Sequence, residues 1–151
     1  MSAPEGKEGF RERQRAKLRR KIDDAVRGTL EPAEEIEEFV FGQVRPRLFL
    51  GMEVLLGPLL ILFAIRYFYV AISARRLFVI AAPKTKTGPG DVVWIEPFAG
   101  IVVERYKEGV LWTLLFFRRR TDEKLLRFRT SRTFNQRTRH IAEALGALTS
   151  P

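Results

Sequence analysis

The sequence predicts an α+β protein. Seven short strands roll into a partly closed barrel, a C-terminal helix covers one opening, an N-terminal helix precedes the first strand, and an apolar insertion follows it. Three observations lead there. From residue 66 onward, short runs rich in β-branched and aromatic residues alternate with turns built from Gly, Pro and charged residues. The last run gives way to a segment in which Phe134, Thr138, Ile141, Leu145 and Leu148 fall alternately four and three apart, the period of one helix face. Between the first and second strands, residues 48–65 read LFLGMEVLLGPLLILFAI with a single charge, Glu53.

Taken in order, residues 1–9 are small and polar and are expected to be disordered. Residues 10–30 predict a helix, with Leu18, Ile22, Val26 and Leu30 on one face and a densely basic first half. That apolar face is narrow, so the segment reads as a solvated helix with a thin seam against the domain, and secondarily as a helix lying on anionic lipid or RNA. Glu31-Pro32 stops it. Residues 34–43 form the first strand, with Glu34, Glu35, Glu37 and Glu38 as its solvated approach. Consecutive carboxylates on a strand diverge, so no metal site is expected there.

The apolar stretch comes next, flanked by Arg45, Arg47 and Arg66. As one helix it would reach about 27 Å, close to the roughly 30 Å of a bilayer's hydrocarbon core. Its membrane-contact residues are Leu48, Phe49, Leu50, Leu55, Leu56, Leu59, Leu60, Ile61, Leu62, Phe63 and Ile65. Glu53 opposes deep insertion, and Gly57-Pro58 in mid-run makes a kink or a re-entrant pair of short halves as reasonable as a straight span. Burial in a core or an oligomer interface stays open beside these.

Residues 67–73 and 77–81 form a hairpin with Arg75 and Arg76 near its tip; residues 84–90 are a loop. Residues 91–95, 101–106, 110–118 and 125–129 complete the strands. Residues 110–118 are apolar on both alternating faces, which suits a strand buried on both sides of a barrel. Trp94, Trp112, Phe116, Phe117 and Phe128 are assigned to the core, with Phe78 and Trp112 as secondary candidates for stacking on a ligand. Residues 134–148 form the last helix, with Thr133 and Gln136 spaced as a capping box.

The net charge of +9 is uneven: residues 1–47 balance to +1, Glu53 contributes −1, and residues 66–151 carry +9. A basic module beside an apolar stretch is drawn to anionic lipid. Arg66, Arg75, Arg76, Lys84, Lys86, Arg118, Arg119 and Arg120 are its candidate anionic-ligand contacts. The cation bias around the stretch favours a C-terminal domain on the cytoplasmic side. The chain has no cysteine, so disulfides and thiolate metal sites are excluded. The first apolar run starts at Leu48, late for a secretory signal peptide, and export is not expected.

No reaction signature appears. His140 is the one histidine and has no sequence cue to a partner. Gly88-Pro89-Gly90 lacks the Gly-Lys-Ser/Thr that would make a phosphate-binding P-loop. No serine or threonine sits in a nucleophile elbow. The expectation is a non-enzymatic protein with no cofactor and no metal.

The hairpin Val70-Ala71-Ile72-Ser73-Ala74-Arg75-Arg76-Leu77 carries a Val-x-x-Ser-x-x-Arg-Leu pattern. With the acidic approach from Leu30 to Ile36, it resembles bacterial pleckstrin-homology-like (PH-like, GRAM-related) domains over roughly residues 30–148. Ala74 departs from the Asn or Asp more usual in that family, and the apolar insertion is a second departure. The resemblance implies seven strands with a capping C-terminal helix, and a binding module often anchored to membranes. The domain plan is therefore a basic helical extension over 1–30 and a PH-like domain over 31–150, with 48–65 anchoring or re-entering a membrane. The leading function is a module at the cytoplasmic face of a bacterial membrane that binds anionic lipid or a protein partner. A soluble interaction module, with 48–65 buried or at a homo-oligomer interface, is the alternative. Nucleic-acid binding through the arginines is the third reading, disfavoured because the aromatics lie in apolar runs.

Overall fold

The computed structural model describes residues 3–44, 65–84 and 88–146, apart from the side chains of residues 3–5 and 7. Helix α1 is Ala3–Val26, so residues 3–9, expected to be disordered, are helical instead. It stops before residue 30 because Thr29 folds back, its amide and its hydroxyl both donating to the Val26 carbonyl at 2.8 and 2.7 Å. Seven strands follow: β1 (Glu38–Val44), β2 (Arg66–Ile72), β3 (Arg76–Ala82), β4 (Val92–Pro97), β5 (Ile101–Glu108), β6 (Trp112–Arg119) and β7 (Leu125–Ser131). Helix α2 is Asn135–Ala144.

The strands form a seven-stranded antiparallel sheet in the order β4-β3-β2-β1-β7-β6-β5. The two meanders join at β1 and β7, where Gln43 pairs with Arg129 and Val44 with Phe128. The sheet rolls onto itself: Trp94 of edge strand β4 meets Phe117 of β6 edge to face, their centroids 5.9 Å apart. Bulges between Val103 and Arg105 and between Val79 and Ile80 help it bend. Edge strands β4 and β5 share no ladder, so the barrel is not closed.

The concave face holds one core, with Val70, Leu77, Trp94, Leu115, Phe117 and Phe128 contributed by both halves, and α2 seals it with Ile141 and Ala142. A second core lies on the convex face of the first half, where Ile22 and Val26 of α1 cover Phe39, Tyr69, Phe78 and Ile80. This is why β2 and β3 are buried on both faces. The seam on α1 is short: from Phe10 to Lys17 every residue is exposed.

Several sequence expectations need correction. Strand β6, expected to be buried on both faces, alternates instead, with Thr113, Leu115 and Phe117 inside and Leu114 and Phe116 half-buried. Trp112 is therefore not core but lies 37% exposed. Thr113 is satisfied inside by a hydrogen bond to Asn135. Among the described residues no helix covers the outer face of this half. Arg127 lies over Phe116 and Arg129 over Trp112, at 5.8 and 5.5 Å from the ring centres, their stems lying along apolar surface as long basic side chains do. Phe78 is fully buried, which removes it as a stacking residue. The Thr133–Gln136 capping box does not form; Ser131 caps a 3-10 turn over Arg132–Phe134 that leads into α2, its hydroxyl accepting from the Thr133 amide at 3.3 Å. Ser131→Ala is expected to lower stability by about 1 kcal/mol, read as a fall in thermal midpoint of about 2–4 °C.

Candidate functional site

The structure pairs the described residues that flank the apolar stretch. Val44 ends β1, Arg66 begins β2, and the two are paired across an antiparallel ladder. Partners in such a ladder have Cα atoms about 5 Å apart. Residues Leu48, Phe49, Leu50, Leu55, Leu56, Leu59, Leu60, Ile61, Leu62 and Phe63 lie outside the described residues, as does Lys86. Ile65 is described, and it is buried immediately before β2. Among the described residues no helix is long and apolar enough to cross a membrane.

Two surface features surround that pair. Arg66 and Lys84 share a groove of about 660 Å³, floored by Phe68, Ala81 and Gly90 and edged by Asp91. An aromatic strip leads away from it. Phe41 stacks on Tyr67 at 5.6 Å, with rings within 5° of parallel, and touches Tyr69 at 5.1 Å. Phe41, Tyr67, Trp112 and Phe134 then line a mostly apolar groove of about 290 Å³, rimmed by Arg129. The sequence reading missed this strip, although Phe41 and Tyr67 both sit in segments expected to be strands. Cross-strand register, which no single strand reveals, is what stacks them.

The other candidate arginines have different fates. Arg76 is internal. Its guanidinium forms an ion pair with Glu34, donates to the Thr29 carbonyl at 2.8 Å and lies 5.1 Å from the Phe78 ring centre. Ser73, itself buried, donates to Glu34 at 2.7 Å and accepts from the Arg75 and Arg76 amides. Glu34 is thus no solvated residue, as the sequence suggested, but the centre of a network tying the α1–β1 connection to the β2–β3 turn. Arg76 above all holds its carboxyl at about 2, well below the ordinary 4.5, against the opposing effect of burial.

Arg118 pairs with Glu104 at 2.7 Å and Glu123 at 3.1 Å. Arg119 pairs with Asp122 and Glu96 and stacks on Trp94 at 4.2 Å. The Arg118–Arg119–Arg120 run is therefore largely neutralised by carboxylates. Arg75 and Arg120 are exposed and have no ion-pair partner among the described residues. The backbone brings their segments together: Phe98 donates to the Arg75 carbonyl and Arg120 to the Gly100 carbonyl, both at 2.9 Å.

No three metal-ligating side chains come together among the described residues. His140 is exposed and lines a polar groove of about 660 Å³ between α1 and α2 with Arg15, Glu38, Arg132 and Arg137. No family model matches the chain, and no curated protein or solved structure matches it either.

Proposed function

We propose that the chain is a PH-like module that associates with the cytoplasmic face of a bacterial membrane and binds anionic lipid, or a protein partner held there. The seven-stranded antiparallel sheet with its sealing C-terminal helix supports the PH-like reading, as does the Val-x-x-Ser-x-x-Arg-Leu hairpin, whose Ser73 and Arg76 hold the turn.

One observation carries the membrane reading furthest: the pairing of Val44 with Arg66. A stretch flanked by residues that are neighbours in a folded sheet enters and leaves a bilayer on the same side. Residues 48–65 then act by re-entry, and a single crossing is incompatible with the intact β1–β2 ladder. Two helical halves meeting at Gly57-Pro58 would each reach about 14 Å, roughly one leaflet. Arg66 and Lys84 stand at the point of departure, where cations meet lipid phosphates. Tyr67 stands beside them, suited to the headgroup level. The apolar groove at Phe41 and Trp112 favours the second reading, in which the stretch is buried at an interface between copies. The nucleic-acid reading is weakened because Arg118 and Arg119 are already paired.

Fractionation of the tagged full-length chain tests this. The expected result is retention through a high-salt wash and release by detergent. Release by salt alone would reduce the association to a peripheral, charge-driven one. A fully soluble chain would overturn the membrane reading in favour of the buried-interface alternative.

A further inference from the structure

The β5–β6 turn presents two aliphatic side chains that the fold does not use. Val110 is 79% and Leu111 73% exposed, and Trp112 follows them at the start of β6. The turn itself depends on Gly109: its amide donates to the Trp112 carbonyl at 2.8 Å, and a Cβ there would lie 2.7 Å from the same oxygen. Nothing in that geometry calls for apolar residues at 110 and 111. The tip is nevertheless held in place. The Arg132 amide donates to the Leu111 carbonyl at 3.2 Å and its guanidinium to the Val110 carbonyl at 3.5 Å.

Behind the tip arginines outnumber carboxylates, and Glu108 beside the turn is already paired with Arg139 at 2.8 Å. Arg132 also lines the groove between the two helices, where Arg15 and Arg137 share the Glu38 carboxylate at 3.4 and 4.0 Å. Burial, and then the neighbouring Arg15, push the Arg137 pKa down. On the other side Arg129 lies over the Trp112 ring. A rigid apolar prong, an aromatic at its base and guanidiniums behind it match the layers of an anionic bilayer: acyl chain, interface and phosphate. Trp112 and Tyr67 line one groove, which runs from the base of the tip to the start of β2.

We propose that the Val110–Leu111 tip is a second membrane contact, inserting into an anionic bilayer while Arg132 and the groove behind it engage lipid phosphate. The proposal rests on the membrane reading above but concerns a different surface. The test uses full-length protein with phosphatidylglycerol vesicles and, as the comparison, phosphatidylcholine vesicles, each with and without brominated acyl chains. The chain has two tryptophans, and Trp94 is buried in the core. Brominated phosphatidylglycerol is expected to quench the Trp112 share of the emission and leave the Trp94 share. Val110→Ser/Leu111→Ser is expected to abolish that quenching, and Arg132→Gln to weaken it. Both changes are at exposed positions, and the wild-type quenching stands independently of either variant. Vesicle-bound protein with unquenched Trp112 would overturn the tip while leaving the membrane reading intact. Equal quenching by both lipids would overturn the anionic selectivity, and a chain that binds no vesicles would overturn both readings.

Discussion

Arg76→Ala is expected to lower the free energy of unfolding by about 3 kcal/mol, among the largest effects of any single substitution outside the concave core. The Arg76 and Glu34 side chains are only 17% and 9% exposed, so water cannot replace the lost partner. Truncation strands a carboxylate that Ser73 and the Glu31 amide alone must then satisfy. The same pair sets a pH dependence. The Glu34 pKa is depressed from 4.5 to about 2, so its contribution is fully present above pH 4.5. It is lost progressively as the pH falls toward 2, and amounts to about 3 kcal/mol over that range. Urea unfolding at pH 7 and at pH 3 separates the two effects. Wild type should lose stability between these values, and the variant should start lower and fall less. Equal slopes in both proteins would show that the pair does not govern the acid limb.

Gly42→Val is expected to be at least as damaging, by about 3 kcal/mol or more, and Gly42→Ala by about 2. Gly42 lies where β1 reaches across to β7. A Cβ at this position would sit 2.5 Å from the Arg129 carbonyl oxygen and against the Phe128 ring. Phe128 is fully buried and has no room to retreat, and the Arg129 carbonyl is backbone. Either the ring leaves the core or the strands part. The described β1–β7 ladder is only two pairs long, so parting the strands removes the join between the two halves of the sheet. Gly28→Ala is the control, since a Cβ there meets nothing within 4 Å, and it should change stability by less than about 0.5 kcal/mol. Thermal melts measure all three, and hydrogen exchange at Gln43 and Val44 reports directly on the ladder.

The number of the strands and their places along the chain were legible because each is a short β-branched or aromatic run between strong turn signals. Boundaries moved by one or two residues for most of them, and by four at the start of β1. There the chain from Glu31 to Glu34 closes a turn, with Ala33 in the left-handed region at φ 64°. What periodicity could not decide was which face of β6 turns inward, since Trp-Thr-Leu-Leu-Phe-Phe is apolar on nearly every position. The structure resolves it through Thr113, the polar residue that goes inside because Asn135 meets it there. The candidate site was legible as composition, not as arrangement. Arg76 and Arg119 looked like neighbours of Arg75 and Arg120 in one basic surface. Their carboxylate partners come from elsewhere in the chain for Arg76, and from β4 and the β6–β7 turn for Arg119. Sequence distance conceals the Arg76–Glu34 and Arg119–Glu96 pairs, whereas Asp122 lies only three residues from Arg119. The aromatic strip was hidden for the same reason, because it depends on which residue of β1 stands opposite which residue of β2.

The sheet order also fixes a timetable for biosynthesis. Strands β1 to β4 are sequential neighbours and can pair as they leave the ribosome, yet the concave face they form carries Val70, Leu77 and Trp94 with nothing to cover it. Its cover, Leu115, Phe117, Phe128 and Ile141, is translated later, and β1 waits some 85 residues for its second neighbour (Gln43 to Arg129). The convex face is served at once, because α1 has already emerged. A nascent chain paused before β5 is therefore half a barrel, complete on the side translated first and adhesive on the other. Contacts this distant in sequence close slowly, so handling of the newborn chain by chaperones or by a membrane surface belongs to that interval.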